Sequence, residues 1–517
     1  MNAPFKLRAS AVEGADSGTP LFTVEEVVEV TSAHVMTPDS HRLRDKIRRV
    51  STDSRDVRPG DLFVALKGER YDGHEFVDAA FRQGAMGAVV GPGYRLPTSF
   101  PPLRAGSSRR PHRGPPLVLS VHDPLFAYQQ LSTHHRNRFD MPVVAVTGSN
   151  GKTTTKEMIA RVLDERWSVL KTEGNLNNRI GVPQTLLRLT VRHTAAVIEM
   201  GVDHKGQTAR LTEIVRPTIG VITNIGPDHL EFFGTLGNSA QAKGELLDLM
   251  QPDDAVVLNA DDAFFDYLAS RARCRVISFG LSAKAQVRAA DVTPARGRGT
   301  AFRLILPGKA RSTPIAIHAF GLHNVENALA AAAVGHLCGL SGASIAAGLS
   351  RFRPATMRSQ VETHGGIKII NDCYNANPAS MNAAIDLLAE LGAGGRTIAV
   401  LGDMLELGPE SSALHHEVGA HLAAKDISFL IACGPLSRAL AQGAHDRGMA
   451  RARIREAADA AEATQVLTSM LRRHDVVLAK ASRGMRMEQV VEALRRRLAV
   501  RRAPVKSVAT TGKGRTR

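Results

Sequence analysis

A chain of 517 residues is too long to close around one hydrophobic core and is expected to divide into about three domains. Its 43% apolar and 22% charged residues suit a soluble globular protein, and no stretch approaches the ~20 apolar residues of a membrane span. The formal net charge of +16 suggests nucleic acid until it is located: Arg95–Arg113 and Arg495–Arg517 hold five and nine Lys or Arg and no acid, and the near-neutral remainder has one Trp and no basic-aromatic interleaving.

The first unit is expected over residues 22–140, after a polar leader without the charged start and apolar block of a secretory signal. LFTVEEVVEVTSAHV reads as a helix, or a strand plus a helix. Pro59-Gly60-Asp61 turns into the strand LFVAL, Lys67-Gly68 ends it, His74 to Gln83 is an amphipathic helix, and AMGAVVG is the next strand. This makes a small α/β domain. Ser54 and Arg55 precede the first strand in one loop and Lys67-Gly68 follow it in another, so both loops either meet an anionic ligand or carry simply solvated charges. Residues 95–116, rich in Pro, Arg, Gly and Ser without periodicity, read as a disordered insertion.

The second unit, 141–352, opens on the most informative stretch, MPVVAVTGSNGKTTTK. Val143 to Val146 is a β-rich apolar run, Gly148-Ser149-Asn150-Gly151-Lys152-Thr153 is a glycine-bounded turn, and from Thr154 apolar residues recur at helical spacing. Strand, phosphate loop and helix follow in the order a nucleotide site needs. The glycines let the backbone approach phosphate oxygens, Lys152 reaches the β and γ phosphates of a nucleotide such as ATP, and Thr153 offers its hydroxyl to Mg²⁺. Val146 stands where the full G-x-x-x-x-G-K-[ST] pattern has its first glycine, so the match is to G-x-x-G-K-T. An Asn-rich turn, NLNNRIGVP, follows the second strand, which is read over Trp167 to Leu170. Glu199 ends the apolar run TAAVIE, where a parallel sheet places ligands; it suits a Mg²⁺ ligand or a solvated carboxylate. The run TIGVITNIGPDH repeats the scheme and brings His229, by itself an ordinary loop histidine. Lys243, on the helix SAQAKGELLDLM, is either a surface lysine or, facing the site, a carrier of CO₂ as a carbamate. A β-rich extension runs to Ile317, after which Asn324 and Asn327 share one face of an alanine-rich helix and either cap it or read a nucleoside.

The third unit, 353–498, alternates strand and helix and is expected to be doubly wound. Asp372, Asp403, Lys480, Ser482 and Arg483 fall just past strand ends and so share one rim of the sheet. Residues 499–517 read as a basic disordered tail. Cys274, Cys338, Cys373 and Cys433 are far apart and form no C-x-x-C, which disfavours zinc and disulfides and points to a reducing cytoplasm.

In order and spacing, TGSNGKTT, NLNNRIGVPQTLL, EMG, TNIGPDHL, AKGEL, GLHNVENALAA, INDCYNANPASM, LGDMLELG and KASRGMRMEQVV resemble the Mur ligases of peptidoglycan synthesis. The DGHEF at Asp72 and the YNANP at Tyr374 look like the D-alanyl-D-alanine-adding branch. The resemblance implies an α/β fold of three domains: a small N-terminal α/β domain, a central P-loop parallel-sheet ATPase domain and a C-terminal Rossmann-like domain. It assigns Gly148, Ser149, Asn150, Gly151, Lys152, Thr153 and Thr154 to the ATP phosphates, and Asn324, Asn327 and Asp372 to the nucleotide. It gives Thr153, Glu199 and His229 to two Mg²⁺ ions, with a carbamate on Lys243. Lys152, His229 and Lys243 become the catalytic group, Ser54 and Arg55 hold the uridine nucleotide end, and Tyr374, Asn375, Asn377 and Arg483 meet the peptide substrates. The expected partners are UDP-N-acetylmuramoyl-tripeptide and D-alanyl-D-alanine, joined through an acyl phosphate by a cytoplasmic monomer that binds no nucleic acid. A Mur-type ligase adding another amino acid, and a nucleic-acid-stimulated P-loop ATPase, are the competing readings. RFRPATMRSQ replaces a more usual Pro-Gly-Arg stretch and leaves Arg358 without a role.

Overall fold

The computed structural model describes residues 20–37, 42–100, 115–295 and 299–500. Four sheets organise them, of two, five, nine and six strands.

The five-stranded sheet runs His34–Val35, Leu117–Ser120, Gly87–Val90, Asp61–Val64, Arg49–Ser51, parallel except for the first, antiparallel edge. Asp61–Val64 and Gly87–Val90 are buried at every position, as expected of strands covered on both faces. A small ribbon, Phe22–Thr23 with Lys46–Ile47, leads into the helix Val24–Thr31, which Thr23 and Glu26 close with a capping box. The expected helix from His74 begins instead as a tight 3₁₀ turn, Gly73–Phe76, capped by Asp72, before the helix Val77–Gln83. The first residue of that turn packs tightly against the end of the preceding strand, where a Cβ on Gly73 would lie 2.5 Å from Leu66 O. The insertion reading also needs correction at its start. Phe100 sets its ring edge-on to Phe81 at 5.6 Å, so an aromatic anchor holds the chain past Arg95. Residues 101–114 of that segment lie outside the described residues, as do 1–19, 296–298 and the tail from 501.

The nine-stranded sheet has the order Thr313–Ile317, Thr300–Ile305, Val287–Pro294, Arg275–Gly280, Ala255–Asn259, Ile219–Ile222, Val143–Thr147, Ala195–Glu199, Val169–Lys171. It is parallel from Val169–Lys171 to Val287–Pro294, and the β-rich extension continues it as antiparallel hairpins. Val143–Thr147, Ala195–Glu199 and Ala255–Asn259 are wholly buried, and one apolar core lies on each face. The second strand begins two residues later than Trp167, whose ring instead takes Arg166 over its face at 5.0 Å.

The six-stranded sheet runs Gln360–His364, Ile367–Asn371, Val476–Lys480, Thr397–Gly402, Phe429–Cys433, Ile454–Ala457, parallel but for the first. Cores on both its faces make it doubly wound, as the strand and helix alternation requires.

Candidate active site

The phosphate loop follows Val143–Thr147, the third strand from one edge of the nine-stranded sheet, with Glu199 at the end of one neighbouring strand and Thr223-Asn224 just past the other. Gly148 has φ 133°, and a Cβ there would stand 2.0 Å from Thr223 Oγ1; Gly151 has φ 78° and would meet Asn327 Oδ1 at 2.3 Å. Neither position admits a side chain. The adjoining strand end fixes the loop: Ser149 N–H donates to Asn224 O at 2.9 Å, Asn150 N–H to Asn224 Oδ1 at 2.9 Å, and the Thr223 hydroxyl to Asn150 O at 2.6 Å. The helix Lys152–Leu163 starts at Gly151 with no side-chain cap, so its first N–H groups are left for an anion. Lys152 Nζ curls over the loop, donating to Gly148 O at 2.6 Å and Ser149 O at 3.1 Å.

Glu199 is 1% exposed. Its Oε1 accepts from the Thr153 hydroxyl at 3.0 Å and the Asn177 amide at 2.8 Å, while Oε2 has no hydrogen-bond partner. An open, buried carboxylate oxygen beside a hydroxyl is a hard oxygen donor set, which fits a Mg²⁺ ion shared with phosphates and water. Lys156, fully buried, balances this charge from 3.6 Å and donates to Thr172 O at 2.7 Å.

Behind the loop lies a second buried pair. Lys243 Nζ sits 2.9 Å from Asp228 Oδ1, 2.7 Å from Ser239 Oγ and over the Phe233 ring at 4.7 Å. The Ser149 hydroxyl donates to the same Asp228 oxygen at 2.5 Å, and Asp228 Oδ2 is buried without a partner. Burial lowers the Lys243 pKa, against partial opposition from Asp228. Burial also works against the Asp228 charge, but Lys243 and Lys152 outweigh it and hold that carboxyl below its ordinary range.

The six-stranded sheet brings its own rim to this place. Asp372 accepts from Lys480 Nζ at 2.7 Å and from Ser359 N–H at 2.7 Å, and Lys480 also donates to Asn375 O at 2.8 Å. Burial alone would raise the Asp372 pKa; Lys480 reverses this and lowers it. Asn377 donates to Asn150 Oδ1 at 2.8 Å, and the Arg358 guanidinium lies 3.8 Å from the centroid of the Tyr374 ring. The result is one cavity of about 930 Å³ whose wall includes Lys67 to Glu69, the phosphate loop, Glu199, His229 and Tyr374 to Asn377.

The family model for the Mur ligase middle domain matches residues 146–335, that for the Mur ligase glutamate ligase domain matches 357–483, and that for the Mur ligase family catalytic domain matches 46–93. The UDP-N-acetylmuramoyl-tripeptide--D-alanyl-D-alanine ligase of Bacillus subtilis is 35% identical over 473 residues, 91% of this chain and 98% of that one. The chain belongs to the Mur ligase family. The Escherichia coli ligase of the same name is 36% identical over 86% of this Mur ligase and 93% of its own length. Among solved structures, MurF from Acinetobacter baumannii superposes with a TM-score of 0.81 at 31% identity, covering 92% of this chain and 99% of that one. MurF from Thermotoga maritima in complex with ADP gives 0.76 at 28% identity, covering 88% and 98%.

Not every residue named from the sequence reaches the cavity of this Mur ligase. Ser149, Asn150, Gly151, Lys152, Thr153, Thr154, Glu199, His229, Asn324, Asn327, Asp372, Tyr374, Asn375 and Asn377 line it, and Lys243 stands behind Asp228. Gly148, Ser54, Arg55 and Arg483 do not. The Arg55 side chain is 87% exposed and pairs with Asp53 at 2.7 Å, and Arg483 pairs with Glu488 at 2.9 Å. Asn327 is also less free than a nucleoside-reading amide needs to be, since its oxygen accepts from Thr155 and its amide donates to Asn324. Sequence reasoning missed Asp261, Asp262 and Glu326, which line the same cavity. Asp261 and Asp262 follow the strand Ala255–Asn259 as Glu199 ends its own, so the strand-end argument would have found them. Glu326 is hidden between the two asparagines of its helix.

Proposed function

We propose that this Mur ligase joins D-alanyl-D-alanine to the terminal carboxyl of UDP-N-acetylmuramoyl-tripeptide, converting ATP to ADP and phosphate. The observation that carries the reading is convergence: the Lys67 to Glu69 loop, the phosphate loop and the Tyr374 to Asn377 loop, each from a different sheet, wall one cavity. We take 22–140, 141–352 and 353–498 as the three units, working as a monomer in the cytoplasm. The names of the Bacillus and Escherichia relatives, and the ADP held by the Thermotoga structure, support the same assignment.

A carboxylate and an amine do not condense in water, so the acid is first activated. The γ phosphoryl group passes to the tripeptide carboxylate, giving an acyl phosphate; the dipeptide amine attacks it and phosphate leaves. Lys152 and the N–H groups of the phosphate loop hold the phosphates and meet the charge that spreads over the transferring oxygens. Thr153 and Glu199 would hold one Mg²⁺, and His229 with Lys243 would serve a second, whose chemistry is charge neutralisation at the phosphates. Carbamylation of Lys243 belongs to this reading: burial favours the neutral amine that CO₂ needs, and a carbamate beside Asp228 would require a cation between the two anions. Asp372, held by Lys480, and the Tyr374 to Asn377 loop close over the acyl phosphate and exclude water, which would otherwise hydrolyse it. Ser54 and Arg55 stand on the first unit for the uridine end, Arg483 on the third for the incoming dipeptide, and Asn324 and Asn327 near the adenosine.

The test is direct. Purified protein is incubated with ATP, the muramyl tripeptide and a panel of amines, and products are weighed by mass spectrometry. A mass increase specific to D-alanyl-D-alanine with stoichiometric ADP supports the assignment; phosphate release indifferent to both peptides defeats it.

A further inference from the structure

One polar contact between the central and third units plays no part in the chemistry above. His229 precedes the short helix Leu230–Phe233, and its Nδ1 lies 2.6 Å from Glu406 Oε2, in the loop after the strand Thr397–Gly402. Both residues occupy the left-handed backbone region, His229 at φ 51° and Glu406 at φ 63°. Non-glycine residues stay there only when their surroundings hold them.

The holding contacts are on the third unit. Met404 N–H donates to the buried His415 Nε2 at 2.9 Å, Leu405 N–H to Ser482 Oγ at 2.9 Å, and Asp403 accepts from Ser437 N–H at 2.8 Å. Glu406 then returns its own carbonyl to Glu231 N–H at 3.1 Å, so side chain and main chain of one residue grip both ends of the turn that carries His229. His229 lines the cavity and Glu406 does not. An imidazole held at Nδ1 by a carboxylate is fixed in tautomer and ring orientation and presents Nε2 on its other side.

We infer that Glu406 is a positioning residue, which aims the His229 ring into the phosphate end of the cavity only while the third unit is docked. The central unit therefore carries an incomplete site until the loop Asp403–Gly408 arrives. This rests on the ligase reading above for its kinetic consequence, but its structural consequence is independent of substrate.

The experiment uses full-length protein and the variants Glu406→Ala, Glu406→Gln, His229→Ala and the double alanine variant. Glu406→Ala is expected to lower kcat by about tenfold or more and to change KM for ATP by less than about threefold, because the phosphate loop is untouched. Glu406→Gln keeps an acceptor for the ring N–H and loses less. The double variant is no slower than His229→Ala within about threefold, the mark of two residues acting as one. In a crystal structure of Glu406→Ala with ADP, the His229 ring is expected to turn away from its wild-type orientation. Losses that multiply in the double variant overturn the inference, and so does a kcat equal to wild type. An unchanged ring in the crystal overturns it whatever the activity; a wild-type enzyme that forms no product instead defeats the proposed function and leaves the ring orientation to decide.

Discussion

Asn377 donates its amide to Asn150 Oδ1 at 2.8 Å, tying the third unit to the phosphate loop, while its own Oδ1 accepts from Ser380 N–H at 2.9 Å and caps the helix Pro378–Leu391. The two jobs are separable by one atom. Aspartate at 377 keeps the cap but removes the donor and sets a negative charge beside Asn150. Asn377→Asp is expected to lower kcat by about tenfold or more with the melting temperature within about 2 °C of the parent. Unchanged steady-state turnover would show that the bridge is idle during catalysis.

Lys152 donates only to carbonyls of its own loop and is the lesser of the two cations that favour the Asp228 charge, after Lys243. Lys152→Met keeps the Lys243–Asp228 pair and should fold with at most a small loss of stability. Product formation is expected to fall by at least about a hundredfold, since the lost cation faces charge that grows in the transition state. Circular dichroism and a ligation assay on the same sample check both halves.

Lys243 is the opposite case. Its removal leaves the Asp228 carboxylate buried with its chief counter-charge gone, which costs about 3–5 kcal/mol for a broken buried pair. Lys243→Ala is expected to melt at lower temperature than the parent and to lose activity. If the working form is a carbamate, short-chain carboxylic acids restore part of that activity. Rescue without any gain in melting temperature separates the chemical role from the structural one; an inert variant that no acid rescues counts against carbamylation.

The frame of this fold was legible because apolar runs such as VVAVT and AAVIE can only be strands buried on both faces, and because G-x-x-G-K-T between a strand and a helix has few other uses. Thr153 and Glu199 could be paired from the sequence because the loop that leads to Thr153 leaves the end of one strand and Glu199 ends another, and parallel neighbours bring those ends together. The contacts His229–Glu406 and Asn150–Asn377 were not legible. They depend on how two sheets dock, and no local periodicity encodes that. Arg358 was left unassigned for a related reason: its place over Tyr374 is set by a backbone with positive φ at both Met357 and Ser359, which residue type alone does not foretell. Of the two loops of the first unit that could meet an anionic ligand by their position, the one at Lys67-Gly68 lines the cavity and the one at Ser54 and Arg55 does not.

Glu326 offers a prediction that follows from charge alone. Burial chiefly, with Asp261 and Asp262 adding to it, pushes its carboxyl up to about 7. The unfolded chain releases this proton at the ordinary glutamate value of about 4.3, so between that pH and about 7 the native state binds more protons than the unfolded one. Stability then falls as pH rises through this window, and above it the ionised, half-buried carboxylate weakens the fold by about 1–3 kcal/mol. Glutamine has nearly the shape of the protonated acid and never ionises. Glu326→Gln is therefore expected to match the parent near pH 5 and to exceed it by about 1–3 kcal/mol above pH 7. Because a three-domain chain does not unfold in one step, the measurement is the melting transition that ADP shifts, which reports the central unit. Parent and variant curves that run parallel from pH 5 to pH 8 would mean that Glu326 is ionised throughout and that the cavity at this end is wetter than its walls suggest.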